Sequence, residues 1–123
     1  MIDYTTSEFA AALLDLIELR KDTDKAFATY QRVMPVNVNE RTEERLKFDR
    51  WQILDRRTRQ AREALLASGI VEPVHSDAGT RQRHRVSELL KAAVSHQAAK
   101  AANDLLTSLQ WKAHKAAEAA AAV

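Results

Sequence analysis

The chain has 123 residues, of which 46% are hydrophobic, and its 19 basic and 17 acidic side chains leave a net charge of +2. It has no cysteine, which excludes disulfides and thiolate zinc sites, and no apolar run approaching about 18 residues, so no membrane span is expected. Two glycines, two prolines and abundant alanine, leucine and charged residues predict a mainly helical single domain, residues 1–123.

The first helical region is predicted over residues 1–34. Thr5 and Glu8 have the spacing of a capping box, in which each side chain satisfies a free backbone amide at the start of a helix. Pro35 ends this region because it forces Met34 toward an extended conformation. The N-terminus lacks the basic start and apolar run of a signal peptide, so a cytoplasmic location is expected.

Residues 40–68 contain neither glycine nor proline and have helical composition. Their pattern leaves two alternatives open: one long helix, or two helices that meet near Leu54 and Asp55, where Asp55 caps the second. The end of the segment is better defined. Gly69 after Leu65 and Leu66 predicts a helix closed by a glycine in the left-handed conformation.

The stretch from residue 70 to residue 86 also allows two interpretations. As a β-hairpin, it turns at Gly79, and Arg81, Arg83 and Arg85 lie on one face of the returning strand. Three guanidinium groups on one face would suit contact with phosphate oxygens. As a loop, the same residues are simply solvated. The hairpin interpretation predicts a helical bundle with a small, winged-helix-like β-hairpin near residues 70–86.

Residues 87–123 are predicted to form one C-terminal helix that frays in its alanine-rich tail. Such a helix has few large apolar side chains to bury. We expect these side chains to form core or dimer contacts, and we therefore expect a homodimer. They are Leu105, Leu106, Leu109 and Trp111.

The net charge is unevenly distributed along the chain. Residues 1–40 carry −3, residues 41–85 carry +4 and residues 86–123 carry +1. Ten of the eleven basic residues in the middle segment are arginine, the side chain best suited to phosphate and to guanine edges in the major groove. The predicted nucleic-acid-binding residues are Arg56, Arg57, Arg59, Arg62, Arg81, Arg83 and Arg85. The alternative is a salt-bridged surface in which Arg59 pairs with Glu63.

The segment from Leu54 to Leu90 resembles the recognition helix and wing of winged helix-turn-helix DNA-binding proteins, including MerR-like and GntR-like regulators. The resemblance is carried by "RRT" at 56–58, "LL" at 65–66, "GIV" at 69–71 and "GTRQRHRVSELL" at 79–90. It implies that residues 40–86 bind DNA through the helix and the wing. Residues 41–53 show no turn before that helix, and one unbroken helix over 40–68 would remove the helix-turn-helix part.

Other chemistry finds little support in the sequence. The four histidines show no metal-ligand spacing, two glycines cannot build a phosphate loop, and no nucleophile or paired-acid motif is present. The expected protein is therefore not an enzyme and has no cofactor or metal. The first functional hypothesis is a transcriptional regulator of phage or plasmid type that binds duplex DNA. The alternative is a helical protein-interaction module, an adaptor or inhibitor, with no nucleic-acid role.

Overall fold

In the computed structural model, residues 6–31 and 38–122 are described, and for residues 38–41 only the backbone is considered. They form four helices: α1 (Thr6–Gln31), α2 (Val38–Ala67), α3 (Asp77–Ala93) and α4 (His96–Ala121). No strand occurs in these two described ranges. The prediction of a mainly helical protein is confirmed. The predicted β-hairpin near residues 70–86 is wrong, and so is the winged-helix-like architecture.

Helix α2 runs without interruption from residue 38 to residue 67, so the alternative of two shorter helices is wrong. Without a turn before Asp55, the helix-turn-helix arrangement that the resemblance implied does not form. The prediction for the end of α2 is confirmed: Gly69 has a φ of 75°, and its amide donates to the Leu66 carbonyl. The predicted capping residue of α1, Thr5, lies outside the described residues.

The segment that was expected to return as a strand is the start of α3. Ser76 caps this helix, because its hydroxyl oxygen accepts a hydrogen bond from the Gly79 amide at 2.9 Å. Gly79, Val86 and Leu90 are the buried residues of α3, and their spacings of seven and four residues match one face of a helix rather than a strand. Arginine, glutamine, glutamate and leucine in this segment are also good helix formers.

The C-terminal segment is broken into two helices, so the prediction of one helix from residue 87 onward is wrong. Val94 adopts an extended conformation after α3, and Ser95 caps α4 by accepting from the Ala98 amide at 3.3 Å. Helices α3 and α4 pack against each other. Ser95 satisfies a free backbone amide of α4, and this cap stabilises the start of α4 immediately after the end of α3.

The chain divides into two compact units. The first unit comprises Met1–Ile17 and Arg62–Val123, and the second comprises Glu18–Ala61. Most of the fully buried side chains belong to the first unit. Its core is made of Phe9, Leu13, Val86, Leu90, Leu106 and Leu109, each at most 2% exposed.

The second unit has a smaller interior built from aromatic rings and two threonines. The hydroxyl oxygens of Thr23 on α1 and Thr58 on α2 lie 3.0 Å apart, in a buried hydrogen bond. The rings of Phe27 and Trp51 have centroids 5.0 Å apart, and Tyr30 stacks on Trp51 at 6.4 Å with an interplanar angle of 7°. These contacts fix the pairing of α1 with α2 within this unit.

Replacing Gly79 with alanine should destabilise the protein strongly. A Cβ at this position would lie 2.1 Å from the Pro73 carbonyl oxygen, so the loop before α3 must move. We expect the free energy of unfolding to fall by about 2–3 kcal/mol, measured by urea denaturation.

Gly69→Ala is the matched control. This glycine has nothing within 4 Å of the added Cβ, and only its positive φ disfavours a side chain. The expected loss is about 1–2 kcal/mol. A larger loss at residue 69 than at residue 79 would contradict the close approach of Pro73 to α3.

Candidate interaction surface on helix α2

The three arginines that were expected on one strand face are separated by the helix. Arg81 and Arg85 are four residues apart on α3 and are exposed, whereas Arg83 points elsewhere and is half-buried. The Arg83 guanidinium donates to the Val74 carbonyl at 3.1 Å, to Thr80 Oγ1 at 3.2 Å and to Gln110 Oε1. The donors of Arg83 are thus used within the protein, and the predicted row of three phosphate-binding side chains does not form.

Gln110 is the centre of this interior polar network. Its side chain is 0% exposed, and Nε2 donates to the Gly79 carbonyl at 3.0 Å and to Gln82 Oε1 at 3.1 Å. The Gln110 backbone carbonyl accepts from the Val74 amide at 3.2 Å. A single residue of α4 therefore holds both α3 and the loop before it.

Gln82 completes the network because its side-chain amide forms hydrogen bonds with the loop backbone, as a neighbouring strand would. Its Nε2 donates to the Ile70 carbonyl at 2.7 Å, and its Oε1 accepts from the Glu72 amide at 3.0 Å. These bonds satisfy backbone groups of a partly buried, irregular segment. Such a segment can be buried only when its backbone polar groups have hydrogen-bond partners. Together, Gln82, Arg83 and Gln110 form what we call the glutamine–arginine network.

On α2, one predicted arginine is paired and two are free. Arg59 lies 3.2 Å from Asp55, and not against Glu63 as the sequence alternative proposed. Arg56 and Arg57 are exposed, and neither forms an ion pair among the described residues. An exposed pair such as Arg59–Asp55 stabilises a protein only slightly.

Arg62 differs from the other α2 arginines because it belongs to the first unit and is half-buried. The pKa of Lys112 is lowered by desolvation and by the positive charge of Arg62. Arg62 therefore acts on a side chain of α4. The seven predicted arginines lie in different surroundings: some are half-buried, one forms an ion pair and others are exposed and unpaired among the described residues.

The four predicted core or dimer residues also divide into groups. Leu106 and Leu109 are buried in the first unit, at 0% and 1% exposure, and Leu105 is half-buried. Trp111 is 43% exposed, with its ring at right angles to those of His75 and His114. Of the four residues, Leu106 and Leu109 are thus core residues, and the homodimer stays a prediction.

The most exposed large apolar side chains of the described residues lie on α2. Leu46 is 65% exposed and Ile53 is 50% exposed, and they are seven residues apart, which places them on one helix face two turns from each other. A shallow cleft includes both. We call this set of lining residues the docking face: Leu46, Asp49, Arg50, Ile53, Leu54 and Arg57.

Sequence reasoning missed Leu46 and Ile53 because it followed a different stripe of α2. That stripe runs through Phe48, Trp51, Thr58 and Leu65, and the structure buries or half-buries all four residues. The available signal was that two large apolar residues stand outside this stripe at heptad spacing. A second apolar stripe on a helix indicates a second contact surface.

The charges around the docking face are mostly positive. Arg50 and Arg57 lie in the face itself, and Arg45 and Arg56 lie on the neighbouring flank of α2. None of these four arginines forms an ion pair with a described residue. Asp49 is the only acidic side chain among the described lining residues. Glu43, nearby on α2, pairs with Lys47 at 2.9 Å.

The described residues contain no group of three histidine, cysteine or acidic side chains that could hold a metal ion. His75 and His114 have ring centroids 5.4 Å apart, and His114 Nε2 lies 3.0 Å from Glu118. His84 lies elsewhere, as an exposed residue of α3. Within the same residues, none of the helices has the length and apolarity needed to cross a membrane.

No protein-family model matches this chain, and no curated protein or solved structure matches it. The function of the protein is therefore inferred from the residues of the chain alone.

Replacing Gln110 with methionine tests the glutamine–arginine network. Methionine has similar volume but cannot form the hydrogen bonds that Gln110 makes with the Gly79 carbonyl and the Arg83 guanidinium. We expect the free energy of unfolding to fall by about 2–4 kcal/mol, measured by urea denaturation.

Gln97→Met is the control, because Gln97 is an exposed residue of the same helix. It should change stability by less than about 0.5 kcal/mol. Equal effects of the two substitutions would show that the network does not stabilise the fold.

Proposed function

We propose that this protein is a non-enzymatic helical interaction module that binds an amphipathic helix of a partner protein through the docking face of α2. The observation that carries the proposal is the exposure of Leu46 and Ile53, at 65% and 50%, at heptad spacing on one helix. Side chains in this arrangement match the i and i+7 anchors by which a helix binds another helix or a groove.

The energetic argument concerns what these side chains gain when they are covered. Burying an exposed leucine or isoleucine completely is favourable by about 1.5–3 kcal/mol. Two such anchors alone give only weak binding, because association also costs translational and side-chain entropy. Specific charge pairs around the anchors are therefore needed to select a partner and to orient it.

The charges of the docking face define the partner chemistry. The described lining residues include two arginines, Arg50 and Arg57, and one acidic residue, Asp49, and the neighbouring flank adds the positive charges of positions 45 and 56. Opposite charges beside apolar anchors stabilise helix pairs and set their orientation. The partner that fits is an acidic amphipathic helix, with two apolar residues seven positions apart and glutamate or aspartate beside them.

A second copy of this chain fits the docking face poorly. In an antiparallel pairing centred between Leu46 and Ile53, each flank meets the same flank of the other copy, which brings Arg50 against Arg50. In a parallel pairing, Arg45 of one copy lies against Arg50 of the other. Both arrangements place like charges together, and this favours a different protein as the occupant.

The test is selection of a displayed library of helical peptides on the full-length protein. Peptides with leucine or isoleucine at i and i+7 and with flanking acidic residues should be enriched. A selected peptide should bind Leu46→Glu/Ile53→Glu at least about tenfold more weakly, because both anchors then lose their apolar contact. Fluorescence anisotropy with a labelled peptide measures this change.

Two further variants separate charge from folding effects. Arg50→Glu/Arg57→Glu should reverse the preference, so that it favours lysine-flanked over glutamate-flanked peptides. Ala117→Glu/Ala120→Glu adds two carboxylates at exposed positions of α4 and should leave binding unchanged. Selected peptides without acidic residues, or peptides that still bind Leu46→Glu/Ile53→Glu, would contradict the proposal.

The other candidate partners are outcomes of the same set of measurements. Sedimentation of the wild-type protein as a dimer that Leu46→Glu/Ile53→Glu dissociates would assign the docking face to a second copy. Binding to random-sequence duplex DNA that weakens steeply with salt, and less steeply in Arg56→Ala/Arg57→Ala, would instead show that the free arginines contact phosphate.

A further inference from the structure

A separate cleft lies in the first unit, beside Gln82 of the glutamine–arginine network. It has a volume of about 410 Å³, within the range of small-molecule sites. Its apolar wall is formed by the partly exposed side chains of Ile70 in the loop and Ala78 at the start of α3. Phe9 and Val86 also border the cleft, but they are core residues at 2% and 0% exposure, so they support this wall rather than contact a ligand.

The polar side of the cleft carries two arginines. Arg81 and Arg85 are one helical turn apart on α3, which puts their Cβ atoms about 5–6 Å from each other. Both are exposed, and neither forms an ion pair or a hydrogen bond with another described residue. This contrasts with Arg83, whose donors are used by Val74, Thr80 and Gln110.

The remaining charge among the described lining residues is the carboxylate of Glu72. Its backbone amide is held by Gln82 Oε1 at 3.0 Å, but its side chain makes no ion pair with Arg81 or Arg85 at 4.0 Å or less. The described lining residues therefore carry two positive charges and one negative charge. A ligand with one negative charge neutralises this balance, whereas a dianion leaves an excess negative charge beside Glu72.

We propose that the cleft between α1, the 70–74 loop and α3 binds a small organic carboxylate, with the carboxylate on Arg81 and Arg85 and its hydrocarbon body against Ile70 and Ala78. Each guanidinium offers a planar fork of donors that matches a carboxylate. The apolar wall selects ligands with an aliphatic or aromatic body over inorganic anions. Gln82 fixes the loop that carries Ile70 and Glu72, so the cleft exists before the ligand arrives.

The test is titration of the full-length protein with 3-phenylpropionate, followed by NMR of the Ile70 and Val86 methyl groups. We expect saturable shifts of both methyl groups, and no shifts with the neutral 3-phenylpropanamide at the same concentrations. Arg81→Gln/Arg85→Gln should weaken binding by at least about tenfold, since two charge-assisted contacts are lost. Glu72→Gln should strengthen binding by about two- to fivefold, because it removes the repelling charge.

The matched control is Lys100→Gln/Lys115→Gln, which removes two exposed positive charges from α4 and should leave the dissociation constant within about twofold of the wild-type value. The amide comparison uses the wild-type protein alone, so it does not depend on any variant folding. Equal binding of the amide, or the absence of saturable methyl shifts with 3-phenylpropionate, would overturn the proposal. Binding of inorganic phosphate in preference to 3-phenylpropionate would also overturn it, because the apolar wall would then have no role.

Discussion

The glutamine–arginine network is the constraint on which the first unit depends. The segment between α2 and α3 has no regular secondary structure, yet Val71 and Val74 in it are buried. Its backbone groups at residues 70, 72 and 74 need partners, and Gln82, Arg83 and Gln110 supply them. Side-chain amides carry a donor and an acceptor on one planar group, so they can pair with an irregular backbone where no strand is available. The close approach of Pro73 to Gly79 is possible only because residue 79 has no side chain.

This arrangement also determines how the positive charge of α3 is used. The network half-buries Arg83, whose guanidinium donates to carbonyl and amide oxygens rather than to a carboxylate. Its neighbours at positions 81 and 85 then lie together at the edge of a cleft, with free donors. On α2 the division differs: one arginine is paired with Asp55, and others surround two exposed apolar residues. The arginine-rich middle of the sequence thus serves several separate surfaces, which its overall charge did not reveal.

Part of this structure could be predicted from the sequence, and the failures have definite physical causes. Helical composition and the terminating role of Gly69 were predictable because both follow from local backbone preferences. The alternation of Arg81, Arg83 and Arg85 suggested a strand, but alternating charges carry little information when helix-forming residues surround them. The Ser76 cap and the buried positions Gly79, Val86 and Leu90 were the stronger signal for a helix. The partners of Gln82 and Gln110 were not predictable, since they lie 10–31 residues away along the chain. Leu46 and Ile53 were missed because the other apolar stripe of α2 was taken as the only apolar stripe of this helix.

The composition of the two units has a consequence for the order in which the chain folds. The second unit uses one continuous segment, Glu18–Ala61, so its helix pair can form as soon as that segment has left the ribosome. The first unit draws on both ends of the chain. Phe9 and Leu13 must wait for residues beyond position 100 before the core that buries them is complete. Closing such a long loop is slow, and during synthesis the start of α1 exposes apolar side chains to which a chaperone can bind. In the sequence, the helix pair of the second unit lies between the two segments that form the core of the first unit. Once this helix pair has formed, the loop that those two segments must close is effectively shorter.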